Sequence, residues 1–590
     1  MKKLRFLTVI AVVTGLLAMH SCSEEFLEIT PNGALDAQVL ATYEGVDALL
    51  IGAYSMIDGL AEGAGGWESA SSGWVFGSIR GMVANKGTDS GDQPDINPLQ
   101  TFTETSTNPY LNTKWQATYE GVSRANGVIL TAAVALENGT ISQAEYDSFI
   151  AQARVLRGVY HFWVWKLFAD QNTGMYIPYV DETTDVKLVT NDVDVRSMII
   201  ADLEAGTTLP LDMGQIGRFN KTVSQVFLAK AQMQMYKDWS TADALLSEVI
   251  ASGVQPAGGT IGLMPTYGDI FDAAQRNAVE SVYTVQYSVN DNSGAWNAGR
   301  GEVLNFPYKS GASPGGCCGF FNPTQDFVNS FNTSGGLPLI DLAAQTYSYN
   351  TVKVTNDQGI DINDPYTEFA GELDPRLDWS AGRRGIPYWD WGNHTGQDWI
   401  RDQTYSGPYS PKKQVYKLSQ EGTLTEVGNW TSGYTANGYR MIRYADVLLL
   451  KAECEAMSST GDLGFGEVNQ IRARAANPSG FVMEDDGVTP AANYVINEYP
   501  TPFANTAEAM HAIKFERKLE LGQEGHRYYD LQRWYGSNIA TELQRIMDYE
   551  STMEWANLLY PGASIGSEDV NFPVPQRQID VSNNVLIQNR

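Results

Sequence analysis

The side chains best placed to do chemistry in this sequence are aromatic rings set among small polar residues. Trp67 and Trp74 lie in a stretch, 58–109, dominated by Gly, Ser, Asn and Asp, beside Arg80, Asn85 and Asp89. Trp296, Tyr388, Trp389 and Trp391 lie in a second such region, 256–438, beside Asn297 and Asp390. A sugar ring has an apolar C–H face and a polar rim. A surface that binds it therefore needs exposed Trp or Tyr for stacking, with Asn, Asp, Arg or Gln nearby for the hydroxyls. These residues are the expected ligand contacts; the plainer alternative is that the rings form a loop-packing core.

Catalytic and metal-binding patterns are sparser. Residues 562–566 read G-A-S-I-G, a match to the G-x-S-x-G nucleophile elbow with Ser564 as nucleophile, but Pro561 precedes it and S-E-D-V-N-F-P-V-P follows, where an elbow needs a strand and a helix. His161, His394, His511 and His526 show no H-E-x-x-H spacing. With 69 Asp and Glu, carboxylate pairs arise by chance, and glycoside hydrolysis depends on their separation in space. Asp89, Asp92 and Asp95 suit Ca²⁺ in kind but lack the ordered D-x-D-x-D-G spacing, and read as solvated loop acids. No cofactor and no catalytic residue are expected.

Composition narrows the partners. The chain has 590 residues, 43% of them hydrophobic, enough for a large globular core, and a formal charge of −29. That charge argues against a nucleic acid, which is bound by clustered Lys and Arg; neutral or cationic ligands are the natural alternatives. Residues 1–21 read as a lipoprotein signal peptide: Lys2, Lys3 and Arg5, then an apolar run from Phe6 to Met19 that is shorter than the roughly 20 residues a spanning helix needs. M-H-S-C resembles a bacterial lipobox, which would leave Cys22 as the lipidated first residue, followed by an acidic tether over 22–35. Only Cys317, Cys318 and Cys454 then remain, too few for a disulfide framework. Cys317 and Cys318 are adjacent in S-P-G-G-C-C-G-F-F, and after export they would be either a vicinal disulfide or two thiols.

Helical periodicity marks the elements that must position these loops. Apolar residues recur every three or four places over 36–60, 112–136, 143–168, 197–209, 222–252, 439–456 and 509–534. In 439–456, Ala445, Ala452 and Ala456 form a stripe against which a partner helix can approach closely, and 509–534 supplies that partner, ended or bent by Gly522 and Gly525. The region 256–438 is poor in helical periodicity and holds short strand-like runs such as S-V-Y-T-V-Q-Y. Helix pairs recur without a strict 34-residue period, so a contiguous tandem array is excluded.

The motifs R-Y-A-D-V-L-L-L-K-A-E at 443–453 and F-E-R-K-L-E-L-G-Q-E-G-H-R-Y-Y-D-L-Q-R-W at 515–534 resemble the C-terminal signature of the SusD/RagB family of surface glycan-binding lipoproteins. The tail N-F-P-V-P-Q-R-Q-I-D-V-S-N-N-V-L-I-Q-N is similar as well, departing from the family by Gln578 where Glu is usual and by ending at Arg590. The resemblance implies a mostly α fold: a tetratricopeptide-like scaffold of four helical hairpins with a loop-rich ligand-binding region and a few short strands. It divides one unit, 22–590, into an N-terminal scaffold over 36–255 with an inserted loop at 58–109, a binding region over 256–438, and a C-terminal helix pair and tail over 439–590. It also implies a non-catalytic receptor on the outer membrane, anchored by lipid at the cell surface, that passes an oligosaccharide to a SusC-like TonB-dependent transporter. A surface glycan hydrolase or esterase is the alternative, as is the same fold binding peptide or another nutrient.

Overall fold

A computed structural model describes residues 37–60, 65–170, 173–309, 313–428 and 430–590. The signal peptide, Cys22 and the acidic tether lie outside the described residues.

The scaffold is a succession of packed helices. Helix α1 (Tyr43–Ser55) lies on α2 (Pro109–Glu137), which pairs along its length with α3 (Gln143–Phe168). Local chemistry sets these ends: Pro109 occupies the first turn of α2, where its missing N–H costs nothing, and Asn108 caps the Tyr110 amide. Ser142 and Glu145 form a reciprocal capping box at the start of α3. Helix α4 (Arg196–Ala205) packs on α3, and α5 (Lys221–Ala231) pairs with α6 (Trp239–Ser252). The helical stretch 222–252 forms a hairpin of two helices, separated by a π-turn over Gln232–Tyr236 and by Lys237 at φ 57°.

After the loop-rich segment the chain returns to the scaffold. Strand β1 (Ser281–Thr284) pairs antiparallel with β2 (Arg440–Arg443), and α7 (Tyr444–Ser458) follows directly and packs on α6. The helix expected from 439 therefore begins at Tyr444, because R-M-I-R is taken up by strand pairing. Helix α8 (Phe465–Ala475) and α9 (Thr506–Leu521) both pack on α7. The small-residue stripe works as its spacing predicts: Ala445, Ala452 and Ala456 are fully buried with Ala509 and Ala512 of α9. G-Q-E-G at 522–525 ends α9, α10 (Arg527–Tyr535) follows, and α11 (Ile539–Glu550) completes the set. The fold is mostly helical, with the remaining strands paired two by two in short antiparallel ribbons.

The charged positions of the C-terminal motifs point inward. Glu516, Glu520 and Glu524 are four apart, on one side of α9 and its continuation. Glu516 pairs with Arg376 (2.6 Å) and Arg472 (3.1 Å), and Glu524 with Arg443 (2.7 Å) and Lys413 (2.8 Å). Glu520 sits between Arg376 (3.0 Å), Arg443 (3.0 Å) and Arg474 (2.5 Å), all of them buried. Burial alone would raise the Glu520 carboxyl, but Arg474, Arg443, Arg376 and Lys413 together hold it well below the usual carboxylate range. The network joins α9 to β2, to α8 and to Arg376 of the loop-rich region.

The tail closes on the scaffold. Asn589 donates to the Phe168 (2.6 Å) and Phe572 (2.8 Å) carbonyls, and Arg590 pairs with Glu104 and Asp569. Gln578, where the family usually has Glu, donates to Asn112 at 2.9 Å.

Candidate glycan-binding site

The expected inserted loop at 58–109 is not an exposed excursion. Every residue from 74 to 88 is buried, including a π-helical turn over Trp74–Ile79. Glycine makes the passage possible: a Cβ on Gly77 would lie 2.0 Å from the Gly525 carbonyl oxygen, so the segment runs backbone to backbone against the G-Q-E-G turn. This corrects several site expectations. Trp74, 1% exposed, donates its indole N–H to the Gly301 carbonyl (3.0 Å) and packs edge-on against Phe320 and Phe321. Arg80 is fully buried in ion pairs with Glu104 and Asp569, both at 2.8 Å. Asn85 is buried and accepts from the Tyr560 hydroxyl at 2.6 Å. None of the three can meet a ligand at the surface.

In the second region Tyr388 is likewise buried, its hydroxyl donating to the Pro411 carbonyl. Trp389 is half-buried and lies on Trp379, ring centroids 5.0 Å apart, with the Lys417 ammonium 5.2 Å from its centroid. Trp391 is half-buried and donates to the Tyr416 carbonyl at 3.0 Å. Asp390 accepts the backbone amides of Leu418 (2.5 Å) and Ser419 (2.9 Å), so it shapes a turn. The plainer alternative, a loop-packing core, describes the three rings, and Asp390 is exposed at the turn it shapes.

Asp89 and Asp92 are answered by Arg401, at 2.8 and 2.5 Å, and Asp89 also accepts the amides of Gly91 and Asp92. A guanidinium and backbone N–H groups thus engage both oxygens of Asp89, and the guanidinium one oxygen of Asp92.

The structure does bring Trp67, Trp296 and Asn297 to one place, and adds three residues that sequence reasoning missed. Trp296 is 48% exposed and Trp430 43% exposed. Trp67 is half-buried and meets Trp430 edge-on at 6.5 Å between centroids, and Trp430 meets Tyr434 at 5.9 Å. The Arg300 guanidinium ties the two ends together, lying 4.3 Å from the Trp296 centroid and 4.9 Å from that of Tyr434. The contacts run Trp67, Trp430, Tyr434, Arg300, Trp296, and three separate segments of the chain supply them.

A polar rim borders the rings. Asp291, exposed, accepts from Ser288, Ser293 and Asn297, and those donors hold its carboxyl well below the usual range. Asn290 ties this loop to Glu426 by donating its backbone N–H to the Glu426 carboxylate at 2.8 Å. The signal for Trp430 was present in the sequence: in G-N-W-T-S-G it stands among Gly, Asn, Thr and Ser just as Trp296 does.

The Cys317–Cys318 loop abuts this cluster. The Gly315 carbonyl accepts from the Thr431 hydroxyl (2.6 Å) and the Ser432 amide (3.2 Å), beside Trp430. The two sulfurs are placed as a vicinal disulfide. Intact mass after alkylation without reductant is expected to show no adduct at Cys317 or Cys318, and two adducts after reduction. Alkylation of both in native buffer would mean that they are thiols.

The G-A-S-I-G segment is irregular, with Ser564 exposed in coil and Gly562 at φ 70°; no strand precedes it and no α-helix opens after it. Among the described residues the four histidines contact backbone or hydroxyl groups or lie buried without a carboxylate hydrogen bond. His161 lies between the Arg157 carbonyl and the Val180 amide, His394 contacts Ser410, and His511 lies at the Thr346 carbonyl. Burial pushes the His161 and His394 imidazoles down to about 4 and about 3, so both are neutral at pH 7.

A sequence model of the SusD family matches residues 279–590. The chain belongs to the SusD family. A SusD-like protein from Bacteroides ovatus is 24% identical over 550 residues, covering 89% of this chain and 82% of that protein. The SusD-like protein P25 from Formosa agariphila is also 24% identical, over 80% of this chain and 77% of that one. Among solved structures, surface glycan-binding protein A from Bacteroides thetaiotaomicron, in complex with laminarihexaose, superposes with a TM-score of 0.62 at 19% identity, covering 92% of this chain and 99% of that one. At that identity the likeness shows the SusD fold. In this SusD-family chain the aromatic cluster draws on the helical turn Gly65–Glu68 and on the segments around Trp296 and Trp430.

Proposed function

We propose that this SusD-family chain is a non-catalytic cell-surface receptor that binds an oligosaccharide on the Trp67–Trp430–Trp296 cluster and passes it to a SusC-like TonB-dependent transporter. The observation that carries the reading is the pair of large exposed indoles, Trp296 and Trp430, linked through Tyr434 and Arg300 and bordered by Asp291 and Asn297. Exposed rings with polar groups beside them suit the apolar face and hydroxyl rim of a sugar. Binding of laminarihexaose by a structural relative, and of laminarin by another SusD-like protein, agrees with it. The charge of −29 favours neutral or cationic glycans over polyanionic ones. A glycan array that includes peptides as controls, followed by titration with the tightest binder, identifies the ligand. Retention of peptides alone, or polysaccharide turnover that is lost in Ser564→Ala, would overturn the receptor reading.

Lipid at Cys22 is the proposed anchor to the outer membrane. No helix among the described residues is long and apolar enough to span a membrane, and several acyl chains on one residue make a stable anchor. Cys22→Ala is expected to leave the outer-membrane fraction; unchanged partition of that variant would contradict the assignment.

A further inference from the structure

A second pocket, separate from the aromatic cluster, lies where α2, α3, α5 and α10 meet. It encloses about 110 Å³, and half-buried Ser71, Trp163 and Tyr529 among its lining residues leave solvent a way in. Its walls carry the cations Lys114, Lys166, Lys230, Arg517 and Arg533, with Asp530 as the only carboxylate in the lining; burial pushes the His526 imidazole down to about 4, so it adds no charge at pH 7.

Most of that charge is matched from behind. Lys230 pairs with Asp446 (2.6 Å), Arg517 with Asp446 and Asp530 (both 2.9 Å), and Arg533 with Glu453 (2.7 Å) and Asp530 (2.8 Å). Three cations thus meet three carboxylates, and Lys114 and Lys166 are left over. The Lys114 ammonium donates to the Ser69 carbonyl at 2.9 Å; the nearby Glu302 carboxyl is itself buried and pushed up by that burial. Lys166 has neither a carboxylate nor a hydrogen-bond acceptor among the described residues. Its ammonium rests on the faces of Tyr529 (4.1 Å to the centroid) and Phe162 (5.1 Å). Aromatic faces replace part of its hydration but bring no counter-charge. In a chain of net charge −29, an inward-facing surplus of lysine is the reverse of what composition would place there.

We infer that this pocket binds a small oxyanion, inorganic or carboxylate, held between the ammonium groups of Lys166, Lys114 and Lys230. Compact ammonium groups act as point charges and suit such ligands without the bidentate geometry of a guanidinium. Burial, with Lys230 and Lys114 alongside, pushes the Lys166 ammonium down to about 7, so a bound anion would also restore its charge. Because α3 carries Lys166, α2 Lys114, α5 Lys230 and α10 the opposite wall, the anion would couple the N-terminal helices to the C-terminal motif R-Y-Y-D-L-Q-R-W.

The test uses the mature full chain, with calorimetric titration and thermal melts in sodium phosphate and, separately, sodium acetate, at constant ionic strength. Saturable binding of one anion per chain below about 10 mM, with a rise in Tm that follows the same curve, is expected for at least one of the two. In Lys166→Met, which removes the charge and keeps the length, the affinity should fall at least tenfold. The variant should melt no lower than the parent in anion-free buffer, because a half-buried ammonium with no ion pair, set beside Lys230 and Lys114, is gone. Lys114→Met should weaken binding as well and guards against an effect peculiar to one site. A general salting-out stabilisation would rise without saturation and be equal in parent and variants. That outcome, or no binding of either anion by the parent, would overturn the proposal.

Discussion

Glu520→Gln is expected to destabilise the fold by about 3 to 5 kcal/mol, one of the largest losses any single substitution in this chain should produce. The variant keeps the volume but replaces one accepting oxygen by a donating NH2 and removes the charge that Arg376, Arg443 and Arg474 share. All four side chains are buried, so water cannot take over the role of the lost carboxylate. Arg376 keeps Asp374 and Glu516, Arg443 keeps Glu280 and Glu524, and Arg474 keeps Glu280. The loss therefore comes from a buried cluster left one negative charge short and not from an intrinsic strength of the ion pairs, since a buried pair repays little more than its own desolvation. Glu120→Gln is the matched control: it breaks the Arg124–Glu120 pair, whose side chains are 40% and 47% exposed, and should cost at most about 0.5 kcal/mol. Urea unfolding midpoints of the two variants and the parent decide the matter. A Glu520→Gln midpoint equal to that of Glu120→Gln would mean that the network carries no structural weight.

The same network shows what was legible in the sequence. Helix periodicity located α2, α3, α7 and α9 because each buries one face, and a stripe such as Ala445, Ala452 and Ala456 can be read without knowing its partner. The four-residue spacing of Glu516, Glu520 and Glu524 was equally visible, but their partners lie far along the chain. Arg376 is 144 residues from Glu520, and Arg80 finds Asp569 across 489 residues. No local pattern encodes such a pairing.

The binding site divided for a related reason. Tryptophans among Gly, Ser and Asn look exposed, and Trp296 is, but the same glycines let a backbone pass at close range and carry a ring inside. Gly77 against Gly525 does this for the segment that holds Trp74. Small polar neighbours therefore mark an irregular backbone and leave open which way it turns. Trp430 and Tyr434 joined the cluster only through spatial contacts with Trp67 and Arg300.

That division yields the second large effect, a contrast between rings of one chemical type. Trp296→Ala and Trp430→Ala should each weaken oligosaccharide binding roughly tenfold to a hundredfold, the equivalent of about 1 to 3 kcal/mol of stacking and apolar burial. Neither should shift the melting temperature appreciably, because about half of each ring faces water in the free protein. Trp67→Ala should lower affinity and also cost some stability, since its half-buried ring packs against the core as well as against Trp430. Trp74→Ala should do the reverse of the exposed pair. Removing a ring 1% exposed leaves a cavity and frees the Gly301 carbonyl, for a loss of about 3 to 5 kcal/mol of stability with no direct contact to ligand. Trp163 or Trp165 in α3 should likewise cost stability rather than affinity.

The most direct test of the account is calorimetric titration of the Trp296→Ala/Trp430→Ala double variant with the tightest-binding oligosaccharide from the array, with thermal melts run alongside. The account predicts a parent-like melt and an affinity reduced by at least a hundredfold; a double variant that melts like the parent and binds the oligosaccharide as tightly would contradict it.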